Sequence, residues 1–128
     1  MTNDLTTITE GIKTFFEAQT IANITKKLYH PAIEAITTLN AGSFILSYDS
    51  VNYNDFTLTQ NDRLDLIANI DIIVSQGKLF ETIDSLLAVI KANNSLNRIV
   101  LKTTVENIDL NNPSAKLEGS TIKIVFSI

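Results

Sequence analysis

Residues 62–76 read DRLDLIANIDIIVSQ, and one set of alternate positions is wholly apolar: Leu64, Leu66, Ala68, Ile70, Ile72 and Val74. Period-two alternation over this length is the signature of a β-strand. The other set starts polar at Arg63 and Asp65, then mixes Ile67 and Ile73 with Asn69, Asp71 and Ser75. The stretch therefore predicts a central strand with one face in a core. Its second face carries isoleucines that a solvated strand does not need.

Working outward, Gly77 punctuates the strand, and Leu79, Ile83, Leu86, Leu87 and Ile90 follow at i, i+4, i+7, i+8 and i+11. That stripe predicts an amphipathic helix over 78–92 that packs on the sheet of its own domain. Asn93-Asn94 marks its end. Residues 98–110 alternate as Ile99, Leu101, Thr103 and Val105, then change phase to Ile108 and Leu110, a β-bulge signature. Residues 111–119 read as a turn, and 120–128 as a closing strand with Ile122, Ile124, Phe126 and Ile128 on one face.

On the N-terminal side, Thr7-Ile8-Thr9-Glu10 fits a capping box, and Ile8, Ile12, Phe15 and Phe16 predict a helix from about Asp4 to Ala18. Gly11 weakens it by about 1 kcal/mol relative to alanine. Ile21, Ile24 and Leu28 either extend that pattern or form a separate segment. His30-Pro31 breaks the chain, and a short helix over Ala32–Leu39 follows. Residues 43–48, SFILSY, read as a buried strand. Residues 49–61 read as a long loop or a frayed hairpin arm. Together these elements predict one α+β domain over 1–128, with a mostly antiparallel sheet of about four strands and two main helices packed on one face.

Composition narrows the function classes. The chain has 128 residues, 45% hydrophobic and 19% charged, with mean hydropathy +0.15. This is not the low-hydrophobicity, high-charge profile of a disordered chain. Charge is on the low side for a small domain, so the expectation is that other protein covers some of the surface. Net charge is −4 and the ten Lys and Arg are scattered, which argues against binding a phosphate backbone. There are no cysteines, so disulfides and thiolate chemistry are excluded. No stretch approaches the ~18–20 apolar residues of a membrane span. The start, MTNDLTTITEG, has neither the basic nor the apolar part of a signal peptide.

No catalytic constellation is visible. His30 is the only histidine, and before a proline it reads as a loop or packing residue. DSVNYND (49–55) fails the EF-hand pattern for want of its glycine and closing glutamate. Asp65 and Asp71 share a strand face but lie about 20 Å apart along it, too far for a carboxylate pair. The expectation is a protein that is not an enzyme and carries no cofactor or metal. Arg63, Asp65, Ile67, Asn69, Asp71 and Ile73 are candidates for an oligomer interface, with the isoleucines as anchors and the charges setting register.

The element order carries a resemblance. TTITEGIKTFFEA, HPAIEAITTL, GSFILSYDS, RLDLIANIDIIVSQ, LFETIDSLLAVIKAN, RIVLKTTVENIDL and STIKIVFSI follow one another in a pattern that resembles the small tail-terminator and tail-completion (minor tail) proteins of long-tailed bacteriophages and prophages. The resemblance implies a structural virion protein, assembled in the host bacterial cytoplasm and located in the virion tail. It implies a homo-oligomeric ring, usually a hexamer, at the head-proximal end of the tail tube. The ring would stop tube polymerisation and join the tail to the head. The implied partners are further copies, the tail tube protein and a head-completion protein, with no nucleic acid and no membrane. Within such a ring the mixed face of 62–76 is a candidate lateral contact, and 49–61 and 111–119 are candidate axial contacts. Other readings are a head–tail connector or baseplate subunit, or a non-phage dimeric regulatory or ligand-binding module.

Overall fold

The computed structural model describes residues 4–29, 41–56, 61–114 and 116–128, with the backbone alone for 53–56, 61–63 and 112–114. The elements run α1 (Leu5–Glu17), β1 (Lys26–Tyr29), β2 (Ser43–Phe56), β3 (Asn61–Ser75), α2 (Leu79–Ala92), β4 (Lys102–Ser114) and β5 (Leu117–Ser127). The architecture is α+β, a five-stranded mixed sheet in the order β1-β2-β3-β5-β4. All pairs are antiparallel except β1 with β2, which is parallel.

The opening stretch is the central strand β3, hydrogen-bonded to β2 on one side and β5 on the other. Its row Leu66, Ala68, Ile70, Ile72 and Val74 lies in a core shared with Phe44 and Leu46 of β2 and Ile122, Ile124 and Phe126 of β5. Both helices close this core from the same side, through Ile8, Ile12, Phe15 and Phe16 of α1 and Leu79, Ile83, Leu86 and Ile90 of α2. α2 lies over β3 and β5. Phe16, Phe44 and Phe126 are fully buried, each worth about 1.5–3 kcal/mol of apolar burial. The rings of Phe15 and Phe16 meet edge to face, 5.2 Å between centroids, a favoured geometry for aromatic pairs.

Several boundaries differ from the sequence expectation. α1 has the expected extent, but its N-cap is Asp4, whose carboxylate accepts from the Thr7 backbone N–H at 2.7 Å. Thr7 is thus inside the helix instead of capping it. The segment after α1 forms β1, a fifth strand. Its entry is fixed where Thr25 N–H and Lys26 N–H both donate to the Gly42 carbonyl. Gly42 has φ +89°, and a Cβ there would sit 2.8 Å from the Thr25 hydroxyl, so only glycine fits. β2 runs on to Phe56, past the polar stretch from 49. Asp49 is the extra residue at a register shift between Tyr48 and Ser50.

β4 begins at Lys102, not 98, because Leu96, Asn97 and Arg98 all have positive φ. That run turns the chain and buries Leu96 and Val100. The bulge falls where the phase change predicts it, Glu106 being the extra residue between Val105 and Asn107. β4 and β5 extend to Ser114 and Leu117, so most of the expected turn at 111–119 is strand. The helix expected over Ala32–Leu39 lies outside the described residues.

Candidate functional site

Neither helix packs on the outer face of the sheet, and strand register lays that face out in rows. Asn52, Asp65, Ser127 and Lys102 form one row, and Ser50, Ile67, Val125 and Thr104 the next. Ser47, Asn69, Lys123 and Asn107 follow, then Leu28, Ile45, Asp71, Thr121 and Asp109. The last row is Lys26, Ser43, Ile73, Gly119 and Asn111.

The predicted interface residues share this face, as their alternation requires. The Arg63 side chain lies outside the described residues. Asp65, Ile67, Asn69 and Asp71 are half-buried. Ile67 is opposite Val125 across β3 and β5, close enough for the two side chains to touch. Ile73, by contrast, is 5% exposed, and its diagonal neighbour Ile45 is 2% exposed. That end of the face is already shielded within the protomer, which leaves Ile67 as the accessible isoleucine. Asp71 accepts a hydrogen bond from the Thr121 hydroxyl. One carboxylate oxygen of Asp65 is buried with no hydrogen-bond partner. The bulge at Glu106 brings its carboxylate within 3.9 Å of the Lys123 amine, with both side chains about half exposed, so the pair adds little stability.

A second feature was not visible in the sequence. An open cleft of about 420 Å³ lies between α1 and the β1–β2 side of the sheet. Leu5, Thr6, Thr9, Glu10 and Lys13 of α1 form one wall, and Tyr29, Tyr48, Val51 and Leu66 form the rest. The Lys13 amine stands 5.9 Å over the Tyr29 ring, within cation–π range. Burial pushes the Tyr48 phenol up to about 12, with the Glu10 carboxylate adding to the effect. Burial, then Glu17 and Tyr48, raises Tyr29 further. Both shifts favour the protonated phenols. Tyr29 and Tyr48 come from different strands with no motif spacing, and only the fold brings them together.

Among the described residues no three His, Asp or Glu side chains are grouped to hold a metal ion. The large apolar side chains exposed among the described residues are Leu5, Val51, Phe80, Leu101 and Leu110. Leu5 and Val51 line the cleft at one edge of the sheet, while Leu101 and Leu110 belong to the opposite, β4 edge. The described residues thus present a mixed outer face and an open cleft lined by apolar, hydroxyl and charged side chains. No family model matches the chain, and no characterised protein aligns with it significantly.

Proposed function

We propose that this chain is a structural subunit of a bacteriophage tail, forming a ring at the head-proximal end of the tail tube that terminates polymerisation and joins the tail to the head. The observation that carries this reading is the mixed outer face, on which neither α1 nor α2 packs. Both helices cover one face of the sheet, and the outer face presents half-buried Ile67, backed by buried Val125, among Asp65, Asn69, Asp71 and Lys123. An apolar contact rimmed by charge and amide groups is the composition of a protein-docking surface. The resemblance in element order supplies the identity of the assembly, and the low charge content fits a subunit that spends its life against other protein. The outer face is then a docking surface for the neighbouring copy in the ring.

The test is to add the purified protein to tail tubes of the cognate particle while they are elongating. A terminator stops elongation and appears in electron micrographs as a ring at one tube end. Ile67→Ser weakens end binding while leaving the thermal melt near that of the parent. Tubes that grow at the same rate and carry bare ends refute the reading.

A further inference from the structure

β4 ends the sheet, with β5 on one side and no described strand on the other. An open edge presents backbone N–H and C=O groups to an extended chain, and the strand register identifies which groups those are. Thr103, Val105, Ile108 and Leu110 stand opposite Phe126, Ile124, Ile122 and Ser120, which are alternate residues of β5. The bulge absorbs Glu106, so all four positions share one hydrogen-bonding phase. In an antiparallel ladder that phase points either toward the partner strand or away from it.

Thr103 fixes the direction. The Asn94 side-chain amide donates to the Thr103 carbonyl at 2.7 Å and accepts from its N–H at 3.2 Å. Asn94 lies just past the end of α2, so both backbone groups of Thr103 are taken up outside the β5 ladder. The amide stands where a sixth strand would run and plugs the first rung. The matching groups of Val105, Ile108 and Leu110 have no such plug among the described residues.

The side chains along this open stretch define what fits it. The four residues lie on the helix side of the sheet, where Ile122, Ile124 and Phe126 belong to the core. Thr103 is 3% exposed, Val105 and Ile108 are half-buried, and Leu110 is 57% exposed. α2 packs on β3 and β5, so an apolar shelf extends past the helix toward Leu110. On the outer face Glu106 and Asp109 are exposed, and residues 105–111 contain no base. A chain added here meets apolar groups on one face and acids on the other.

We propose that the β4 edge is a β-augmentation site, where an extended segment of another protein adds as a sixth strand along Val105–Leu110. That segment carries apolar residues at alternate positions, facing the shelf, with Lys or Arg between them facing Glu106 and Asp109. Backbone hydrogen bonds supply the affinity of such a site and alternate side chains its selectivity. A second copy is the poorer occupant. Joining two β4 edges through the open rungs sets Ile108 opposite Leu110 and hence Asp109 opposite Asp109, and like charges directly opposite destabilise a strand pair. The site requires neither the ring nor the outer-face contact.

The probe is a seven-residue peptide of alternating lysine and valine, blocked at both ends, titrated against the whole chain by calorimetry and by NMR of the backbone amides. One companion has glutamate for lysine. The other is N-methylated at its valines, the residues that would pair with Ile108 and Leu110. The lysine–valine peptide is expected to bind with a Kd below about 1 mM and at least about tenfold tighter than either companion. It is expected to slow amide exchange at Val105, Ile108 and Leu110 and to leave Thr103 unchanged. Asp109→Lys, at an exposed position, is expected to reverse the preference between lysine and glutamate peptides, with a thermal melt confirming the fold. Equal binding of the N-methylated peptide, no protection of the three amides, or no binding at about 1 mM overturns the inference. Protection of those amides that rises with protein concentration in the peptide-free chain also overturns it, since it assigns the edge to a second copy.

Discussion

Gly11 lies in the middle of α1, where glycine costs a helix about 1 kcal/mol relative to alanine. Stability alone predicts that Gly11→Ala helps. The structure predicts that it does not. A Cβ at position 11 would stand 3.0 Å from Cγ2 of Ile99 and 3.2 Å from both Cγ1 and Cδ1. All three atoms belong to one β-branched side chain, whose χ1 is stiff, so no single rotation clears the contact. The backbone behind it is held by buried Leu96 and Val100 on either side. Forcing an extra methyl into such a contact costs about 1–3 kcal/mol. Against a helix gain of about 1 kcal/mol, Gly11→Ala should leave stability between unchanged and about 2 kcal/mol lower. In an Ile99→Ala background the obstruction is gone, and the same substitution should stabilise by up to about 1 kcal/mol. Urea denaturation of the four proteins in this cycle measures the difference, with a coupling of about 1–3 kcal/mol expected. If Gly11→Ala stabilises the wild type as much as the Ile99→Ala protein, the glycine is not there for close approach.

Three further outcomes follow from the same structure. The Thr103 hydroxyl is buried with no hydrogen-bond partner, and the residue is 3% exposed. Thr103→Val removes that cost at nearly constant shape and should raise stability by about 1 kcal/mol in urea melts. The Asn94 amide donates to the Thr103 carbonyl at 2.7 Å and accepts from its N–H at 3.2 Å. Asn94→Ala should therefore cost about 1–2 kcal/mol and speed amide exchange at the start of β4. Tyr48 ionises near 10 in the unfolded chain and at about 12 in the folded protein. The unfolded state thus releases its proton first as pH rises, and stability held in full below about pH 10 is lost progressively up to about pH 12. Tyr29 moves in the same direction. Urea midpoints across this range, repeated with Tyr48→Phe, should show a shallower fall in the variant.

The parts of the fold that were legible in sequence are those in which a single period dominates. β3 and α2 were found to within about a residue because Leu66 to Val74 alternate and Leu79 to Ile90 keep helical spacing. The bulge at Glu106 was legible because one extra residue reverses the phase of every side chain after it. β1 was not, since four residues of parallel edge strand leave no pattern, and its pairing depends on Gly42 far along the chain. The start of β4 was misplaced because Leu96, Asn97 and Arg98 turn the chain through left-handed conformations without a glycine to announce it. Ile99 then belongs to the contact with α1, not to the strand. For the candidate interface, alternation correctly put Asp65, Ile67, Asn69, Asp71 and Ile73 on one face. It did not reveal that Ile73 is shielded and Ile67 accessible, because residues of one strand set share an orientation without sharing an environment. The cleft was invisible for a related reason. Its walls come from one helix and three strands, and no one spacing pattern joins its residues.

The central claim is that copies of this chain join head to tail and close. Electron micrographs of the assembled protein, class-averaged down the ring axis, test it most directly. The account predicts closed rings of a single copy number. A two-fold symmetric dimer, with both copies presenting the same surface to each other, would contradict it.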